Sequence, residues 1–158
     1  FYPLKNQKNL KVLDPSCGAG IFLVTCFKKL VALEWEQSGK QPNRKKIREI
    51  LYNQIVGFDI NESALRLSAL SLYLTALELD SKPKPLTELS FKEMQGEMLF
   101  HRKTEINSIN IVSLEEKIDK KHYKTFDIVI GNPPWTSIKN NKVNEFFTKE
   151  AKRIAIDR

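Results

Sequence analysis

Two cysteines, two histidines and six glycines in 158 residues exclude a good deal before any motif is read. Cys17 and Cys26 are too few and too close for a disulfide framework or a metal cage, which favours a reducing, cytoplasmic setting. His101 and His122 have no ligating pattern around them, and no metal is expected. No apolar run approaches the roughly 18 residues of a membrane span. No basic, apolar, small-residue leader opens the chain, so neither a membrane nor a secreted protein is expected. The triphosphate-binding Gly-Lys-Ser/Thr is missing, as are internal repeats and low-complexity stretches. What remains, 41% hydrophobic and 28% charged residues, is ordinary for one globular domain or part of one.

The net charge is +7, from 26 Lys and Arg against 19 Asp and Glu, and it is unevenly placed. Residues 1–50 hold ten basic against four acidic side chains, residues 51–100 four against seven, and residues 136–158 six against three. Basic flanks around an acidic middle permit a polyanionic partner, and equally serve solubility. The chain opens on Phe1, and 144–158 reads as a helix still in progress, so a piece of a longer polypeptide is expected.

Along the chain, Lys11-Val12-Leu13 leads into the turn Asp14 to Gly20, and apolar residues then recur at helical spacing from Ile21 to Leu33. Ser38-Gly39 and Pro42 break the pattern before a second helical piece, Asn43 to Leu51. Ile55 to Ile60 is a short apolar strand of the kind buried on both faces, and Asn61 is placed to cap a helix over 62–79. Phe91 to Leu99 reads as a third strand running into a loop at Gly96-Glu97. Ile111 to Ile118 reads as a helix, and Phe126 to Gly131 as the clearest strand, which Asn132-Pro133-Pro134-Trp135 must leave because prolines cannot donate to a central ladder. Alternating strands and helices predict a parallel sheet with helices on both faces. Ligands of such sheets bind at the carboxyl ends of the strands, where Asp14 to Gly20, Asp59, Glu97 and Asn132 to Trp135 are all expected.

Gly18 and Gly20 allow close backbone approach and would leave amide N–H groups free at a helix start. Many such turns only reverse the chain. Asp14 on the same turn argues against a phosphate and for a ligand with an ammonium group. Asp59, 45 residues on, can take the two hydroxyls of a ribose or favour the start of the next helix; position does not choose between them. Pro133 and Pro134 stiffen their loop and lack N–H groups, so the Asn132 side-chain oxygen and the Pro133 carbonyl can accept from one NH2 group while Trp135 offers a stacking face. That suits a planar ring with an exocyclic amine.

Asp14-Pro15-Ser16-Cys17-Gly18-Ala19-Gly20 with Phe22-Leu23, then Gly57-Phe58-Asp59-Ile60, Gly96-Glu97 and Asn132-Pro133-Pro134-Trp135, resemble motifs I to IV of the S-adenosylmethionine-dependent DNA adenine-N6 methyltransferases, in the order of their gamma class. The resemblance implies a Rossmann-like class I methyltransferase sheet, doubly wound and mostly parallel. Seven strands are usual in that family. Residues 1–158 would then be a partial domain without its target recognition domain, and weakly active or inactive alone. It also implies that Asp14, Pro15, Ser16, Cys17, Gly18, Ala19 and Gly20 hold the methionine part of S-adenosylmethionine, with Phe22 nearby. Asp59 would bind the ribose and Ile60 would lie against the adenine. Glu97, where Asp is commoner, would accept from the adenine amine beside Met98. Asn132, Pro133, Pro134 and Trp135 would be catalytic. Double-stranded DNA, and specificity or restriction subunits or fused domains, are the implied partners. Methylation of a protein glutamine or an RNA base, and a cofactor-binding module without catalysis, are the rival readings.

Overall fold

The computed structural model describes residues 9–82, 90–101 and 125–132. The expected helices at Ile111–Ile118 and 144–158 lie outside them, as do Pro133, Pro134 and Trp135. The elements are β1 (Val12–Asp14), α1 (Ile21–Ser38), α2 (Arg44–Gln54), β2 (Ile55–Asp59), α3 (Glu62–Leu79), β3 (Leu99–His101) and β4 (Ile128–Val129). The four strands form one parallel sheet in the order β3-β2-β1-β4. This is a Rossmann-like α/β arrangement whose strand order reverses between β1 and β4.

The helix boundaries follow from local chemistry. Asn43 Oδ1 accepts from Lys46 N at 3.0 Å and starts α2, and Asn61 Oδ1 accepts from Ser63 N and Ala64 N at the start of α3. Each supplies an acceptor to amides that have no partner within the first turn. Gly39 closes α1, its N–H donating to Trp35 O at 2.9 Å. The end of α3 is held to α2 through Asp80, which accepts from Lys82 N and from Arg44 Nε.

Right-handed crossovers from β1 to β2 and from β2 to β3 run in one direction across the sheet and so bring α1, α2 and α3 to one face. Leu23, Phe27, Ile47, Leu51, Leu65 and Leu72 from those helices pack there with Val12, Ile55 and Leu99. The other face carries Leu13, Val56 and Phe58, joined by Phe100 and Phe126. Alternation along β1 and β2 separates the two sets, as a pleated strand requires.

Two strands differ from expectation. The third begins at Leu99 rather than Phe91, because Met94 O accepts from Met98 N at 3.0 Å and Leu99 N at 2.9 Å and folds 94–98 into a turn. Gly96 and Glu97 therefore precede β3 instead of following it. The strand predicted over Phe126 to Gly131 is shortened to Ile128–Val129, an edge strand among the described residues, with Val129 66% exposed.

Candidate functional site

The turn after β1 is fixed by its own amides. Ser16 N donates to Asp14 Oδ1 (3.0 Å), Cys17 N to Phe58 O (2.9 Å), Gly18 N to Asp59 Oδ2 (2.7 Å) and Gly20 N to Cys17 O (2.8 Å). The expectation that the glycines leave their amides free for a ligand is thus corrected: both are already committed to the protein. Gly18 and Gly20 have φ of +53° and +84°, where other residues are strained. Gly20 is also pressed against α3, since a Cβ there would lie 2.6 Å from Ser68 Oγ.

Asp14 is completely buried. One of its oxygens accepts from Ser16 N, while the other, Oδ2, has no hydrogen-bond partner among the described residues, and neither has the buried Ser16 Oγ. Burial pushes the Asp14 carboxyl above its ordinary 3.8; the Ser16 N–H opposes this and the Asp59 carboxylate adds to it. A buried acceptor in that state calls for a donor, most effectively a cationic one. Gly131, leaving β4, passes so close that a Cβ would be 3.0 Å from Asp14 Oδ1 and 3.3 Å from Pro15 Cδ. Asn132 follows on the same edge of the sheet and is exposed. The β1 and β4 loops therefore meet at the point where strand order reverses, the place where open α/β sheets take ligands.

Asp59 ends β2 with Oδ2 on Gly18 N and Oδ1 on Asn61 N at 2.8 Å. Both of its sequence readings have a physical basis here, because it joins the glycine turn to the start of α3 while each oxygen keeps a second lone pair. Ile60 is 60% exposed beside it, and Ile60 O is 2.9 Å from His101 Nε2 at the end of β3. Pro15 and Phe22 are half-buried and Ala19 is exposed. The thiol of Cys17 is buried and pushed up to about 11 by that burial, which keeps it protonated and unsuited to nucleophilic attack.

Glu97 is not brought to this edge. It lies in the turn before β3, exposed and paired with Lys92 at 2.6 Å, and Met98 next to it is fully buried in the core. In the parallel register it is His101, not Glu97, that stands level with Asp59. A surface groove of about 470 Å³ lined by Leu70, Tyr73, Phe91 and Met94 shares no residue with the glycine turn. Sequence reasoning missed Gly131 and Ser68 as parts of the site. A glycine directly before Asn132, and a serine in a nearly all-apolar helix, were the available signals.

The chain is similar to "Adenine-specific methyltransferase PglX" of Streptomyces coelicolor, 26% identical over 162 residues that cover 89% of the chain and 13% of that relative. It is also similar to "Adenine-specific methyltransferase BrxX" of Escherichia coli O9:H4, 35% identical over 75 residues that cover 48% of the chain and 6% of the relative. The chain thus spans a small fraction of the length of these curated relatives. A model of the MmeI DNA-methyltransferase domain matches residues 4–155, nearly the whole of the chain, from the β1 turn through Asn132 and beyond. On that match, the chain belongs to the MmeI DNA-methyltransferase domain family.

Proposed function

We propose that the chain contributes the donor pocket and catalytic loop for transfer of a methyl group from S-adenosylmethionine to the N6 amine of adenine in DNA, within a restriction-modification or related system. The observation that carries this reading is the buried Asp14 Oδ2 and Ser16 Oγ, both without a hydrogen-bond partner among the described residues, on a turn that Gly131, the residue before Asn132, closely approaches. Asp14 suits the ammonium group of the methionine part, and Asp59 has lone pairs left for ribose hydroxyls. When bound, the donor supplies an electrophilic methyl group on a sulfonium.

The roles of the fourth motif follow from its chemistry. The Asn132 side-chain oxygen and the Pro133 carbonyl accept from the adenine amine, favour a more tetrahedral nitrogen and stabilise the positive charge that grows on it. Stacking on Trp135 offsets part of the few kcal/mol needed to take the base out of the duplex. The partner is double-stranded DNA, approached by the basic flanks, with specificity or restriction subunits or fused domains completing recognition. The test is to incubate the complete polypeptide and Asn132→Ala with isotopically labelled donor and unmodified duplex DNA. N6-methyladenine from the wild type, its loss in Asn132→Ala and retained donor binding are expected. Methyl groups found on protein glutamine, or undiminished transfer by Asn132→Ala, would overturn the reading.

A further inference from the structure

Ser68 lies at the middle of α3, 50 residues from Gly18, and is completely buried. The rest of that helix's buried face is mostly apolar, with Leu65, Leu72 and Ala76, so a hydroxyl there needs a partner. It has one: Ser68 Oγ donates to the carbonyl of Gly18 at 2.8 Å, and it lies 3.8 Å from Cys17 Sγ. Its backbone also shapes the turn, since Ser68 Cα would be 3.1 Å from a Cβ on Gly20. The Gly18 residue is consequently gripped from two sides, its N–H by Asp59 and its carbonyl by Ser68. Rotation of the unit would break one or both bonds, and Asp59 cannot shift without carrying Gly18 along.

We propose that Ser68 is a positioning residue for the methyl-donor pocket, locking Gly18 so that Asp59 and the glycine turn keep the spacing a bound nucleoside requires. This rests on the reading of the pocket given above. The geometry assigns Ser68 no contact with the donor; it acts through Gly18.

The test compares Ser68→Ala with Thr75→Ala in the complete polypeptide. Thr75 is also a buried α3 hydroxyl, but among the described residues it bonds within its helix, to Ser71 O at 2.8 Å. Ser68→Ala is expected to raise the KM and the calorimetric Kd for S-adenosylmethionine roughly tenfold, the equivalent of one neutral hydrogen bond, with kcat at saturating donor within about twofold. Thr75→Ala is expected to lower the melting temperature without moving either constant. Ser68→Cys, which keeps a similar volume and a weaker donor, should restore part of the affinity and serves if the alanine variant does not fold. Unchanged donor KM in Ser68→Ala or Ser68→Cys, or equal loss in Thr75→Ala, would overturn this inference alone. A wild type that binds no S-adenosylmethionine would overturn the pocket reading and this inference together.

Discussion

Replacing Asp14 by Asn should make the ligand-free protein more stable and the donor-bound protein weaker. In the wild type Asp14 Oδ1 accepts from Ser16 N, while Oδ2 is buried without a partner among the described residues. Asn preserves the acceptor and exchanges the charged oxygen for a neutral amide of almost the same shape. A buried unsatisfied group costs about 1–3 kcal/mol and more when charged, so removing the charged excess is expected to gain on the order of 1 kcal/mol. For a domain of this size that corresponds to a rise in melting temperature of about 2–4 °C. The pH dependence has a definite sign. Burial raises the folded-state carboxyl above 3.8, so its contribution to stability is full below that value and is lost as pH rises through the folded one. The advantage of Asp14→Asn therefore grows with rising pH and is smallest in acid. Donor binding moves the other way. A hydrogen bond to a charged group contributes about 1.5–3 kcal/mol, which makes Kd for S-adenosylmethionine roughly 10- to 100-fold higher. Scanning calorimetry and titration calorimetry read the two effects separately. An Asp14→Asn protein that melts below the wild type at neutral pH and binds donor equally well would refute the argument.

Four further substitutions separate the parts of the fold. Gly20→Ala combines φ +84° with a Cβ 2.6 Å from Ser68 Oγ, whereas Gly18→Ala has φ +53° and open space; thermal melts should show a loss of about 1 kcal/mol for Gly18→Ala, from backbone strain alone, and about 3 kcal/mol for Gly20→Ala. Glu97→Ala, an exposed residue before β3 paired with Lys92, should leave donor Kd within about twofold, as expected of an exposed ion pair, and a tenfold loss would show that the carboxylate does reach the pocket. Arg44→Ala strands the buried Asp80 carboxylate, 2.6 Å from Arg44 Nε, at a cost of about 2–3 kcal/mol. Burial would raise Asp80, but Arg44 and the Lys82 N–H outweigh it and hold the carboxyl below 3.8; the lost stability should be full at neutral pH and shrink as pH falls below that value.

Most of the first half of the fold was legible because its signals are local. Asn61 caps α3 where its sequence position requires, the helix read from Asn43 starts with that residue as its cap, and Gly39 closes α1. The four carboxyl-end loops were less evenly readable. Phe91 to Leu99 reads as a strand, yet the Met94 carbonyl draws Met98 and Leu99 into a turn, and backbone groups used there cannot join a ladder. That misplacement carried Glu97 to the wrong end of β3. The fate of the glycine amides was equally invisible, since the group that takes Gly18 N–H is Asp59, 41 residues away. Ser68 escaped notice for the same reason, because its partner is a main-chain carbonyl contributed by another element.

On the proposed reading, the commitment of those amides decides what sort of ligand the turn accepts. Dinucleotide folds put a pyrophosphate against free N–H groups at the same place in the sheet, whereas here the N–H groups of Ser16, Cys17, Gly18 and Gly20 face protein oxygens. Among the described residues, the buried side-chain groups of the turn that lack a partner are the Asp14 Oδ2 acceptor and the Ser16 hydroxyl. On the proposed reading, a turn of the same shape changes from an anion site to a cation site through the choice of who takes its hydrogens. S-Adenosylmethionine and NAD share an adenosine, and Asp59 would treat their riboses alike, so discrimination falls to Asp14. Bringing a diphosphate to a buried carboxylate sets like charges together. In a competition titration on the complete polypeptide, S-adenosylhomocysteine, which keeps the ammonium group, should displace labelled donor, and NAD in large excess should not. Equal displacement by the two would mean that the adenosine alone is recognised and that the buried acceptors have no part in choosing the ligand.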